Sequence, residues 1–282
     1  MDSQKIRDLE ITAARVRILG LDAINSAASG HVGGAFSIAD ILTVLYFNTM
    51  KNLDPANPRA PERDRFVLSK GHCTAALYPT LALRGFFPVE DLKTLRQVDS
   101  YLSGHAEMNH VPGVDMSAGS LGQGLSNAVG MALAGKQDGM GYRVFCAMGD
   151  GEIQEGQIWE AAMCAGKYRL DNLVGIVDYN HLQIDGTVEE VMPLEPLGDR
   201  WASFGWNVIH IDGHNIDRID EAFRAAEDFK GKPTVVIAHT VKGKGVSFME
   251  NNVAWHGHPP VGEDYIKARA ELVAHLNELE GK

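Results

Sequence analysis

A chain of 282 residues with 37 Asp and Glu against 26 Lys and Arg carries a formal net charge of −11. That balance argues against a nucleic-acid surface, and it requires an anionic ligand to be held locally by a metal, helix ends or histidines. The length lets the chain bury about three quarters of the surface it exposes when unfolded. Its three cysteines, Cys73, Cys146 and Cys164, form no C-x-x-C pair, which fits a reducing, cytoplasmic location. The charged start from Met1 to Glu10 lacks a signal-peptide pattern, and no apolar stretch is expected to approach the ~18 to 20 residues of a membrane span.

In chain order, Lys5 to Ala28 reads as an amphipathic helix with the apolar stripe Ile6, Leu9, Ala13, Val16, Leu19 and Ile24, stopped by Ser29-Gly30-His31. Ser37 and Asp40 have the spacing of a capping box for a helix through Tyr46. A Pro-rich loop, Asp54 to Pro61, leads to a strand at Arg65 to Ser69. Further strands are expected at Tyr142 to Met148, Leu173 to Val177, Trp206 to Ile211 and Pro233 to Ala238. Helices are expected at Leu121 to Gly135, Gly156 to Tyr168, Pro196 to Phe204, Asp217 to Phe229 and Tyr265 to Leu279. Strands this apolar, spaced by helices, predict an α/β fold, a doubly wound and mostly parallel sheet with helices on both faces. No composition shift marks a boundary, so residues 1–282 read as one domain.

The most informative run is Gly149-Asp150-Gly151, closing one apolar strand, answered by Asp178-Tyr179-Asn180 at the end of the next. A right-handed crossover between them sets Asp150 and Asn180 side by side at the carboxyl edge of two parallel strands, where ligands of open α/β sheets bind. One carboxylate and one amide oxygen suit Mg²⁺ or Ca²⁺, which share their remaining positions with substrate phosphates. The flanking glycines let a phosphate approach the backbone. Gly119-Ser120-Leu121-Gly122-Gln123-Gly124 opens a helix whose free N–H groups suit phosphate oxygens, although its glycine order is not the dinucleotide fingerprint.

Glycine-flanked histidines recur at His31, His72, His105 and His256. Such a set suits sugar hydroxyls, phosphate or proton transfer. His110, His181, His210, His239 and His275 read as structural by default, and His214 as a turn residue. His258 rivals His256, which is favoured because Gly257 follows it. Cys73 reads as a small buried residue rather than a nucleophile. Lys242 and Lys244 either touch phosphate or belong to a mobile charged loop.

These segments resemble the N-terminal, diphosphate-binding half of a transketolase, through Asp64 to His72, Gly119 to Gly124, Gly149 to Gly156 and Asp185-Gly186. The resemblance implies thiamine diphosphate with Mg²⁺ or Ca²⁺ held by Asp150, the Asn180 side chain and the Leu182 main-chain oxygen. It implies cofactor contacts from His72, Gly119, Leu121, Gly151, Asn180 and His256, with His31, His105 and His256 facing the sugar. Glu155 and Glu160 match acidic residues near the subunit interface; taken alone they read as solvated carboxylates favoured by a helix dipole. Lys70 stands where full-length relatives usually carry asparagine, and Ser120 where they commonly have proline. The family's pyrimidine-binding domain has no counterpart before Lys282. The expectation is therefore a split enzyme, α₂β₂, whose C-terminal subunit supplies that domain, acting on sugar phosphates in the pentose phosphate pathway. The rival readings are an α subunit of a thiamine-dependent 2-oxo acid dehydrogenase and a non-catalytic cofactor-binding subunit. Glu155-Gly156, Glu160-Ala161 and the His31 and His105 loops favour transketolase over the dehydrogenase.

Overall fold

A computed structural model describes residues 1–282. The helices are α1 (Ser3–Ala27), α2 (Val32–Val44), α3 (Thr74–Leu83), α4 (Gln123–Gln137), α5 (Gly156–Lys167), α6 (Val188–Val191), α7 (Leu197–Ser203), α8 (Ile216–Asp228) and α9 (Gly262–Glu280). The strands are β1 (Arg65–Leu68), β2 (Val144–Gly149), β3 (Leu173–Tyr179), β4 (Leu182–Gln183), β5 (Gly186–Thr187), β6 (Asn207–Asp212) and β7 (Thr234–His239). Five strands form one sheet in the order β1-β2-β3-β7-β6, every neighbouring pair parallel. β4 and β5 make a small antiparallel hairpin just beyond the tip of β3.

Alternation along the strands splits the core into two layers, as a sheet covered on both faces demands. Phe66, Phe145, Ala147, Val174, Ile176 and Val236 pack with α1, α2, α3 and α8 on one face. Val67, Cys146, Met148, Val177, Val235 and Ile237 pack with α4, α5 and α7 on the other. The helices and strands expected from the sequence are all present, with ends displaced by a few residues. α3, the β4-β5 hairpin and α6 are additions to them.

Two expectations fail. Ser37 and Asp40 do not cap a helix: α2 begins at Val32, with His31 in the capping position. Both side chains turn to tertiary partners instead. Ser37 donates to Gly34 O at 3.0 Å and to Asp178 Oδ2 at 2.5 Å, while Asp40 accepts from Arg17 at 2.6 and 3.0 Å. An apolar run of membrane-span length also exists, Val32 to Thr49, 18 residues long. It is 83% buried, and its apolar surface is spent on the protein core.

Candidate active site

The register of the sheet decides the site. Gly149 pairs with Asp178 across β2 and β3, so Asp150 and Asn180 leave the same edge on adjacent strands. Asp150 is 2% exposed and Asn180 5%. Asp150 Oδ2 accepts the His181 N–H at 2.6 Å, and Oδ1 accepts the Gly151 N–H at 2.8 Å. Asn180 Oδ1 accepts the Leu182 N–H at 3.2 Å. These bonds aim the donor oxygens of the strand tips into one cleft of about 500 Å³. Asp150, Asn180 and Leu182 all line it, with His31, His72, His105, His256, Gly119, Leu121, Gly151 and Glu155.

Burial, with the nearby Asp178 charge, pushes the Asp150 carboxyl up to about 6. Lys242 answers that charge. It is 2% exposed, and its Nζ donates to the Leu182 oxygen at 3.0 Å. Its ammonium, depressed by burial and by Lys70, has no ion-pair partner and lies near enough to Asp150 to interact with it. The alternative of a mobile loop is thus excluded for Lys242, whereas Lys244 pairs with Glu250 at 3.4 Å away from the cleft. Lys70 is the second buried lysine. It forms an ion pair with Asp178 and donates to Gly34 O at 2.9 Å. Thr240, Ser37 and, at 3.5 Å, the Asn180 Nδ2 amide also donate to Asp178. Burial opposes the charge on Asp178, but Lys70 outweighs it and holds the carboxyl below the usual range.

Four imidazoles converge above this floor. His31 lies 4.9 Å from His72, 6.3 Å from His105 and 5.6 Å from His256, centroid to centroid, and His72 stacks on His256 at 5.5 Å. Burial, with Arg96 and His105 nearby, pushes His31 down to about 4; burial and Lys242 push His256 down to about 3. His72 and His105 are lowered as well, chiefly by burial. The set is therefore neutral near pH 7. Pairing of an imidazolium with phosphate gives way to hydroxyl contacts and proton acceptance. His258 packs on Trp255 at 5.3 Å and does not line the cleft.

The remaining sites divide. Glu155 is at the cleft rim, whereas Glu160 lies on the exposed side of α5, outside the cleft. Only part of the Gly119–Gly124 loop is free for phosphate, because the Gly122 N–H already donates to Glu152 at 3.0 Å. Glu152, unremarked in the sequence, is 3% exposed and also receives Ser69 and the Gly149 N–H, the latter at 3.0 Å. It ties the ends of β1 and β2 to the start of α4. His214 is structural as expected: Nε2 accepts the Val241 N–H at 2.8 Å, and Nδ1 donates to Asp40 at 2.7 Å. Cys73 is fully buried and its thiol is raised by burial, so it is inert.

The donor set fits a metal-bridged diphosphate. It combines one buried carboxylate, an amide oxygen and a main-chain oxygen, all hard ligands. A buried ammonium already sits on one of them, so the cluster attracts cationic charge. His31 Nδ1, His256 Nδ1 and Gln183 Nε2 are buried without hydrogen-bond partners, polar capacity that a polar ligand in the adjoining cleft would satisfy.

Residues 9–275 match the family model described as transketolase, thiamine diphosphate binding domain. The chain belongs to the transketolase family. It is 50% identical over 272 residues to the 6-deoxy-6-sulfo-D-fructose transketolase subunit SqwG of Clostridium sp. (strain MSTE9), covering 96% of this chain and 98% of that one. It is 45% identical over 276 residues to one of the subunits of the apulose-4-phosphate transketolase of Phocaeicola vulgatus, covering 98% of each. Its fold matches the transketolase of Campylobacter jejuni with a TM-score of 0.87 at 34% identity, over 99% of this chain but 47% of the other. The chain thus covers nearly all of these two subunit relatives and about half of the solved enzyme it matches. The family assignment sets aside the 2-oxo acid dehydrogenase reading.

Proposed function

We propose that this chain is the diphosphate-binding subunit of a two-chain, cytoplasmic transketolase that moves a two-carbon ketol unit between sugars bearing an anionic tail. The observation that carries the reading is the placing of Asp150, Asn180 and Leu182 at adjoining strand tips, directly below four neutral histidines. Asp150, the Asn180 side-chain oxygen and the Leu182 carbonyl would hold Mg²⁺, with Lys242 adding positive charge beside the diphosphate. Thiamine diphosphate, when bound, supplies the carbanion chemistry. His72, Gly119, Leu121 and Gly151 border the space for the cofactor. His31, His105 and His256, held neutral, accept protons and contact sugar hydroxyls. Two subunit relatives are named for a sulfonated ketose and a sugar phosphate, which supports an anionic ketose as substrate. Glu155 and Glu160 would face a neighbouring protomer in an α₂β₂ assembly.

The test is reconstitution. The chain alone should bind thiamine diphosphate with Mg²⁺ yet transfer no ketol unit, and activity should appear on adding a second chain that carries a pyrimidine-binding domain. Full turnover by the chain alone would refute the two-chain reading. Absence of metal-dependent cofactor binding in the assembled pair would refute the site.

A further inference from the structure

Two histidine loops reach the cleft from distant parts of the chain, Ser29-Gly30-His31 after α1 and Ser103-Gly104-His105 before α4. Arg96 stands between them. Its Nη1 donates to Ser29 Oγ at 3.0 Å and its Nη2 to Gly104 O at 3.4 Å. The guanidinium lies against the backbone of Gly104, where a Cβ would stand 2.5 Å from Nε and 2.6 Å from Cζ. Glycine at 104 lets the guanidinium keep that place, and a Cβ there would displace it. Arg96 itself takes a left-handed backbone, φ 58, fixed by its N–H donating to Leu102 O at 2.8 Å. Thr74 also donates to Gly104 O, at 3.0 Å, and Tyr78 to His105 O, at 3.1 Å, so the second loop is anchored to α3 and the first loop is anchored to the second through Arg96.

Resting on the reading of this cleft as a ketose site, we infer that Arg96 is a positioning residue for ketol transfer, which sets the separation of His31 and His105 by tying their loops together. A planar guanidinium can serve two acceptors at once, and an ammonium on a flexible stem holds no such fixed fork. The charge of Arg96 has no carboxylate beside it, and it faces both rings. His31 is also faced by His105 and Lys242, with the rings of His72 and His256 alongside. His105 is faced by Arg96 and by the ring of His31. Arg96 touches none of the proposed metal donors.

Arg96→Lys separates geometry from charge. In the reconstituted enzyme it should lower kcat/KM for the ketose on the order of 10- to 100-fold, the cost of a misplaced group, while thiamine diphosphate binds with the wild-type Kd by calorimetry. On the full chain alone, the ¹H–¹³C signals of the His31 and His105 imidazoles should shift. Ser29→Ala, which removes one acceptor and leaves Arg96 in place, should shift His31 but not His105, and it keeps the test alive if Arg96→Lys fails to fold. Wild-type turnover in Arg96→Lys, unshifted imidazole signals, or a loss matched by an equal loss of cofactor affinity would each overturn the inference. If the wild-type pair transfers no ketol unit, the functional reading fails, and the imidazole spectra still decide whether Arg96 couples the two loops.

Discussion

Asp150, at the tip of β2, accepts the main-chain N–H of His181, just past the tip of β3, at 2.6 Å. That bond holds the proposed metal carboxylate against the chain carrying the other two donors, Asn180 and Leu182. Asp150→Ala should therefore abolish Mg²⁺-dependent binding of thiamine diphosphate by calorimetry. Asp150→Asn, which keeps the shape, should weaken it by at least ~100-fold, beyond what loss of a mere supporting group costs. Protons compete with the metal for a carboxyl raised to about 6. Below that pH the affinity should fall about tenfold per unit, and above it should level off. A pH-independent Kd between 5 and 7 would contradict the assignment.

The Lys70–Asp178 pair lies beneath the cleft, with Asp178 fully enclosed and Lys70 2% exposed. Breaking one side leaves a buried charge alone, so Asp178→Asn should cost about 3 to 5 kcal/mol in chemical denaturation. Replacing both, as Lys70→Met with Asp178→Leu, should recover most of that loss, because the desolvation of two ions is removed together. A double variant as unstable as the single one would mean that Ser37, Thr240 and Gly34, rather than the charge pair, set the energy.

His31 and His256 titrate at about 4 and 3 in the folded chain, against about 6.5 when unfolded. Between pH 6.5 and about 4 the unfolded chain binds protons that the folded chain refuses, so these groups lose stability for the fold as pH falls through that window. Asp150 works the other way, since its raised carboxyl takes up a proton near pH 6 in the folded chain and only near 4 when unfolded. The histidine part is isolated by the double variant His31→Asn/His256→Asn. Its Tm should fall less steeply than wild type between pH 6.5 and 4; parallel curves would show that the rings are not buried neutral.

What the sequence revealed of this site was local. Asp150 and Asn180 end consecutive parallel strands, so strand length and the handedness of one crossover placed them together. The Ser37–Asp178 and Lys70–Asp178 contacts join positions 141 and 108 residues apart, and no spacing rule reaches that far. Ser37 and Asp40 failed for the same reason: a local capping pattern lost to tertiary partners. Lys242 was left open because nothing in Val241-Lys242-Gly243 shows that its stem is buried. The choice of His256 over His258 rested on Gly257, and the structure sets the His256 ring in the cleft and the His258 ring on Trp255, just after the short 3₁₀ turn Val253–Trp255. Gly122 was expected to offer a free N–H, but the acceptor that takes it, Glu152, lies 30 residues away.

Two of the three glycines in α4, Gly124 and Gly130, have opposite surroundings. A Cβ on Gly124 would stand 2.5 Å from Ser69 Cβ and 2.7 Å from its Cα, whereas one on Gly130 meets nothing within 4 Å. Gly124→Ala must push the start of α4 off the end of β1, costing about 1 to 3 kcal/mol as overpacking does. The displacement would carry Gly119 and Leu121 away from the cleft and strain the bond from Gly122 to Glu152, so cofactor affinity should fall at least ~10-fold with the loss of a preorganised cradle. Gly130→Ala, on the same helix, should instead raise stability by up to about 1 kcal/mol through helix propensity and leave cofactor affinity unchanged. Thermal unfolding and calorimetry on the two variants separate these outcomes. If both alanines weaken cofactor binding alike, the close approach of α4 to Ser69 is not what shapes the diphosphate cradle.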